Sequence, residues 1–272
     1  MRTVRANVIV RTVRVFIFVR FVRILYRFLF FSAYTTFVAT RMYIFRRWWG
    51  ADMGRLMEMR RRWARRLLAT TGVKVSVYGE TPAFPCLLLA NHRSYLDPIL
   101  VLRDVHAFPV AKAELARWPV IGRGARQAGI IYLQRERASS GAAALKAIAD
   151  VILQEGFSVI LFPEGTTSAH NGVLPMKKGA FRAAVRWNLP VVPVAICFSR
   201  ADDFWVGSES FLRHAWRRFQ EKEIAVRVCY GPALYCSDEA ALEQGVRTWI
   251  EEQIVTSKSE HVESQLKSDE KG

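Results

Sequence analysis

The chain has 272 residues, 51% of them hydrophobic, and a formal net charge of +16; that is enough chain for one large domain built on a single core, or for two small ones. The charge is lopsided, because residues 1–71 hold 16 arginines, no lysine and two acids, Asp52 and Glu58, a balance of +14. These arginines are interleaved with Val, Ile, Leu and Phe, a mixture too apolar for an exposed nucleic-acid patch and suited to an anionic lipid boundary, where long arginine side chains snorkel.

Within residues 1–50 the longest uncharged run, Phe28 to Thr40, has 13 residues, where a bilayer-spanning helix needs about 20. Arg20, Arg23 and Arg27 share one helical face and Arg11 and Arg14 fall nearly opposite. The segment therefore reads as two membrane-associated helices, lying in or dipping into one leaflet. The alternative is a span with Arg27 and Arg41 snorkelling at its ends. The basic start lacks the small-residue cleavage site of a secretory signal. Residues 51–71 read as a basic amphipathic helix. Its apolar face is Leu56, Met59, Trp63 and Leu67, and arginines stand at 55, 60, 61, 62, 65 and 66. It packs on the globular domain, faces a membrane surface, or does both.

From Gly72 to residue 256 the pattern changes to strand alternating with helix, which predicts an α/β domain with a mixed, mostly parallel sheet flanked by helices. Val73, Val75 and Val77 alternate with polar residues, and apolar runs follow at 86–90, 107–111, 129–133, 157–162, 190–197 and 224–230. A helix is expected from Ser140 to Glu155, stopped by Gly156. Another begins at Ser237, its expected N-cap, with Leu242, Val246 and Ile250 on one face. Residues 257–272 are polar and read as a frayed tail. The four cysteines form no CxxC pair and the five histidines no HExxH, so buried free thiols in a reducing compartment and no metal site are expected. A P-loop, a GxSxG elbow and a GxGxxG fingerprint are also missing from the sequence.

The stretch Asn91 to Pro98, NHRSYLDP, carries the chemistry. Five residues on a continuous helix would set His92 and Asp97 about 140° apart, so a bend must lie between them. Asp97-Pro98 supplies it, reading as an N-cap followed by proline at the first helical position. An imidazole whose second ring nitrogen is held by a carboxylate can activate a hydroxyl near neutral pH. By itself the pair is also what a satisfied loop histidine and an ordinary helix cap would give. A Ser94-His92-Asp97 hydrolase is disfavoured, because Ser94 lies two residues from His92 and has no strained elbow to present it.

Downstream stand FPVAKAEL (Phe108 to Leu115), GIIYLQR (Gly129 to Arg135), FPEGTTS (Phe162 to Ser168), LPMKKGAF (Leu174 to Phe181) and LPVVPVAI (Leu189 to Ile196). In this order and spacing the blocks resemble the glycerolipid O-acyltransferase family, in particular its bacterial 1-acylglycerol-3-phosphate acyltransferases, from about Gly72 to Tyr235. The resemblance implies a base, His92, and its orienter, Asp97, acting on a lysophospholipid acceptor with acyl-CoA or acyl-carrier-protein as donor and no other cofactor. It implies that Glu164, Gly165, Thr166 and Thr167 meet the acceptor, Glu164 through its glycerol hydroxyls, and that Arg135 meets its phosphate. Lys112 and Glu114 match a family block with no derivable role. Lys177 and Lys178 open the helix of Phe181, where a bound anion would offset their unfavourable position on the macrodipole. The family carries arginine where this chain has Thr167, a guanidinium being the natural phosphate clamp. Lyso-ornithine lipid or another lysophospholipid therefore stands as the second acceptor, and the segment Trp205 to Trp216 resembles those variant enzymes. Membrane lipids are the other expected partner and nucleic acid is not one. The expected place is the cytoplasmic face of the inner membrane. The reading from a different class is a non-catalytic membrane-binding protein that reuses the fold.

Overall fold

The computed structural model describes residues 2–50, 52–112, 130–133, 138–170, 172–207 and 209–269. Residues 2–49 contain neither glycine nor proline, and they form one unbroken helix, α1 (Arg2–Trp49), where two were expected. Nothing in the segment removes an i→i−4 hydrogen bond or favours another backbone conformation. Gly50, at φ +81°, lets the chain turn into α2 (Met53–Thr71), which Asp52 caps at its start and a left-handed Gly72 ends.

The arginine face of α1 has partners inside the protein. Arg20 pairs with Glu221 at 3.1 Å, Arg23 donates to the Gln220 carbonyl at 2.7 Å, and Arg27 donates to the carbonyls of Phe219, Glu221 and Lys222. Arg27 is buried, and desolvation, with Arg23 beside it, lowers its pKa to about 10. Further along, Val38 and Met42 of α1 pack on Leu56 of α2, and Trp63 Nε1 donates to Thr35 Oγ1. The expected polar face of α2 is interrupted at Arg60. That side chain is buried and donates to the Ala107 carbonyl, and desolvation lowers its pKa to about 9.

Seven strands form one sheet: β1 (Val73–Tyr78), β2 (Leu87–Ala90), β3 (Ala107–Lys112), β4 (Ile131–Leu133), β5 (Ser158–Leu161), β6 (Val191–Phe198) and β7 (Ile224–Tyr230). Their order is β1-β7-β6-β2-β5-β3-β4, and every pairing is parallel except β6 with β7. All four residues of β2 are buried, as a strand covered on both faces requires. One face packs against α2 and α3 (Asp97–Leu102) through Leu68, Leu100, Val101 and Val194. The other packs against α4 (Ala138–Leu153), α5 (Gly179–Arg186) and α7 (Glu239–Asp269) through Ile148, Phe181, Val246 and Ile250.

Two sequence expectations shift at the C-terminal helix. The cap is Asp238, whose Oδ1 accepts from Ala241 N at 2.7 Å, and not Ser237. The expected frayed tail is helical as far as Asp269, and Glu260 within it pairs with Arg227 of β7. The sequence also gave no warning of α6 (Phe211–Phe219), which sits between β6 and β7 and starts on the cap Ser210. Among the described residues no helix is long and apolar enough to cross a membrane.

Candidate active site

Strands β2 and β5 lie side by side at the centre of the sheet, and their onward connections diverge. From β2 the chain passes through α3 to β3 on one face; from β5 it passes through α5 to β6 on the other. A crevice outside the carboxyl ends of two such strands is where open α/β sheets bind ligands. Here it is lined by NHRSYLDP after β2 and FPEGTTS after β5.

His92 Nδ1 lies 2.7 Å from Asp97 Oδ2. The same oxygen accepts the backbone N–H of Arg93 at 2.5 Å and of Ser94 at 2.8 Å, so the bend between the two residues is wound around one carboxylate oxygen. Asp97 is fully buried and is the first residue of α3 itself, one position later than the N-cap expected for it. With Nδ1 engaged by the carboxylate, Nε2 is the nitrogen left to meet a ligand, and the imidazole is 21% exposed. The ring stacks on Phe162, centroids 4.3 Å apart. Ser94 is buried, and its hydroxyl oxygen accepts from Leu96 N at 3.4 Å.

Glu164 holds the two loops together. Its Oε1 accepts His92 N at 2.8 Å and its Oε2 accepts Leu174 N at 3.0 Å. The carboxylate expected to meet the acceptor's hydroxyls thus has a backbone donor on each oxygen and is 5% exposed. Burial pushes its pKa up, against the pull of those two hydrogen bonds. Gly165, at φ +71°, turns the chain outward so that Thr166 is exposed and Thr167 half-buried beside the histidine loop. Ser168 N then returns to donate to the His92 carbonyl at 3.1 Å. Lys177 and Lys178 reach the same end of the sheet, since Lys177 N donates to the Pro163 carbonyl at 3.0 Å; both are exposed, and Lys178 precedes the first residue of α5. Arg135 and Glu114 lie outside the described residues, as does the side chain of Lys112.

Three residues that the motif reading passed over do much of the positioning. Asn91 binds the backbone of Ile196 in β6 through both ends of its amide, at 2.9 and 2.8 Å. Arg93 donates to the carbonyls of Ser168 and Gly172 at 2.9 and 2.7 Å, and its guanidinium lies over Phe204. Tyr95 is walled in by Trp205, Phe211 and His214, its hydroxyl 3.2 Å from His214 Nδ1. An arginine directly after the histidine was the one available signal. The partners of all three are distant in sequence. A separate groove of about 500 Å³, lined by Glu80, Phe84, Tyr230 and Pro232 among others, lies at the opposite end of the sheet, where the reversed strands β1 and β7 finish.

Against known proteins, the family model described as Acyltransferase matches residues 73–197. The lyso-ornithine lipid O-acyltransferase of Pseudomonas aeruginosa is 31% identical over 188 residues, which cover 66% of this chain and 71% of that protein. The chain belongs to the glycerolipid acyltransferase family. The sheep 1-acyl-sn-glycerol-3-phosphate acyltransferase alpha is 33% identical over 163 residues, 58% of this chain and 53% of that protein, so the chain matches about half the length of these mammalian relatives. The crystal structure of the 1-acyl-sn-glycerophosphate acyltransferase PlsC from Thermotoga maritima superposes with a TM-score of 0.65 at 22% identity, covering 89% of this chain and 98% of that one. This likeness bears on the fold, and it extends well beyond the matched family segment.

Proposed function

We propose that the chain transfers an acyl group from a thioester, acyl-CoA or acyl-carrier-protein, to the free hydroxyl of 1-acylglycerol-3-phosphate at a membrane surface. The observation that carries this reading is the His92–Asp97 pair at 2.7 Å, which engages Nδ1 and leaves Nε2 of a partly exposed ring for a ligand. In the mechanism, Nε2 takes the proton of the acceptor hydroxyl as its oxygen attacks the thioester carbonyl. The C–S bond then breaks, and the departing thiolate recovers the proton from the imidazolium that Asp97 has stabilised. Glu164 and Arg93 act on the protein, holding the histidine loop against the threonine loop. Glu164, Gly165, Thr166, Thr167, Lys177, Lys178 and Arg135 are the residues proposed to meet the acceptor, Glu164 at its glycerol hydroxyls.

A second acceptor is favoured by one particular residue. Threonine at 167 leaves that position without a guanidinium, and the Pseudomonas aeruginosa relative, covered over 71% of its length, is named for lyso-ornithine lipid. The membrane part of the proposal is supported by the outer face of α1. Phe18, Phe21, Leu25, Leu29, Phe37 and Trp48 are exposed along it, and Arg46 and Arg47 stand near its end. Both thioester donors are cytoplasmic compounds, which supports the cytoplasmic side of the membrane.

The test is the purified full chain with a labelled acyl thioester, each donor in turn, and a panel of lysolipids. Transfer that is lost in His92→Ala with folding intact supports the proposal. Transfer that survives in that variant overturns the assignment of His92 as the base, and no transfer to any lysolipid with either donor overturns the proposal in favour of a non-catalytic membrane-binding protein.

A further inference from the structure

Helix α6 has a buried and an exposed side of opposite character. His214, Ala215, Arg218 and Phe219 face inward, where Arg218 pairs with the buried Asp203 at 2.5 Å. Leu212 and Trp216, four residues apart and so on one outer face, are 67% and 47% exposed, and the exposed Arg213 stands beside them. The Trp216 ring lies 6.2 Å from that of Phe28 in α1, whose neighbours Leu25 and Leu29 are themselves exposed. The apolar stripe of α1 therefore continues across a helix boundary onto α6. At its N-terminal end α6 reaches the histidine loop, because Phe211 and His214 pack on Tyr95.

We propose that α6 is a second lipid-contacting helix, which, with α1, seats the His92 crevice at the surface of an anionic bilayer. The occupant is read from chemistry on both sides of the junction. Apolar side chains that large, left exposed in one continuous band, have the character of a surface seated in acyl chains, and the exposed arginines bordering them fit anionic headgroups. The inner face of the same helix touches Tyr95, so insertion of Leu212 and Trp216 holds the histidine loop at the level where an amphiphilic acceptor resides. The proposal rests on the membrane-surface reading above, and its test separates the two.

Single cysteines at Leu212, Leu25 and Leu153 are introduced one at a time into the full-length Cys236→Ser protein, in which the three remaining native cysteines are buried. Leu153 is exposed on α4, against the far face of the sheet. Each is labelled with an environment-sensitive dye and added to phosphatidylglycerol–phosphatidylethanolamine vesicles that carry spin-labelled acyl chains. Quenching at positions 212 and 25 but not at 153 is expected. Quenching at 25 without quenching at 212 overturns the role of α6 and spares that of α1. Its loss at both overturns the membrane reading itself. Equal quenching at 153 means indiscriminate adsorption and also overturns the proposal. In parallel, Trp216→Glu should weaken vesicle partitioning about tenfold, as expected for a half-buried aromatic group losing its apolar contact, while Trp216→Leu should nearly preserve it. Equal partitioning of Trp216→Glu and the parent protein refutes the contact.

Discussion

Replacing Asp97 by asparagine removes the charge of the site and keeps the geometry of its hydrogen bonds. The asparagine oxygen can occupy the place of Oδ2 and still accept from His92 Nδ1, Arg93 N and Ser94 N, so the bend and the tautomer survive. The opposite arrangement would turn an amide NH2 onto two backbone N–H donors. What disappears is the negative charge facing the imidazolium that forms during proton transfer. Two unit charges about 4 Å apart interact by roughly 4 kcal/mol at an effective dielectric constant of about 20, part of which the amide dipole replaces. At about 1.4 kcal/mol per factor of ten, kcat should fall by roughly two to three orders of magnitude with KM nearly unchanged. The NH2 group also lands where Oδ1 is buried without a hydrogen-bond partner. An unsatisfied buried donor costs about 1–3 kcal/mol, so a drop of several degrees in melting temperature should accompany the kinetic loss. Steady-state kinetics on the purified variant, with circular dichroism as the check on folding, reads both effects. A kcat within about fivefold of the parent enzyme, or a loss confined to KM, refutes the assignment of Asp97 as the group that stabilises the imidazolium.

Glu164→Gln should lower kcat about tenfold, because its amide must set an NH2 against the N–H of either His92 or Leu174, a mismatch of about 1–3 kcal/mol. Burial raises the Glu164 pKa, so the folded chain takes up that proton at higher pH than the unfolded chain does, and stability falls as pH rises through the raised value. Thermal melts across the acid range should show this slope in the parent protein and a shallower one in Glu164→Gln; identical slopes would contradict the assignment. Arg27→Ala removes a charged donor from three carbonyls at the end of α6, and urea unfolding should show about 2–4 kcal/mol of destabilisation, with Arg27→Lys recovering little of it. Thr167→Arg places a guanidinium beside the histidine loop and should raise kcat/KM for 1-acylglycerol-3-phosphate by roughly ten- to a hundredfold relative to lyso-ornithine lipid, as the paired assays would read.

What was legible in the sequence was mostly local. The seven apolar runs became the seven strands because alternation and short buried runs are backbone-scale patterns. His92 and Asp97 were found because both ends of their hydrogen bond lie within one bend. Glu164 was legible as a motif residue, but its contacts within the protein were not, since the donors that occupy it come from residues 92 and 174 and no spacing rule connects them. The same holds for Arg93, whose acceptors are carbonyls of residues 168 and 172. Helix α6 was missed for a different reason. It is only nine residues long, and its buried side carries His214 and Arg218 beside Ala215 and Phe219 while Leu212 and Trp216 are exposed, so polarity does not mark which side faces inward.

The N-terminal charge shows how the distance between composition and surface affects a functional argument. Read as a sum, a balance of +14 over residues 1–71 is a strong electrostatic attraction to anionic lipid. In the fold, Arg27 spends its donors on the end of α6, Arg23 joins it, Arg20 pairs with Glu221, Arg60 is buried beneath α2, and Glu58 takes Arg61 and Arg62. The charge is conserved, but these side chains are held toward the protein, and the field that they project outward is diminished by acidic partners or by distance. The outer face of α1 has the opposite character, since large aromatic and aliphatic side chains are exposed along it. The proposed membrane association would draw its strength chiefly from apolar burial, with charge setting which lipids are preferred. Added salt should accordingly weaken binding to anionic vesicles only in part, leaving a large component that responds to the loss of Phe21, Leu25 or Leu29 and not to ionic strength.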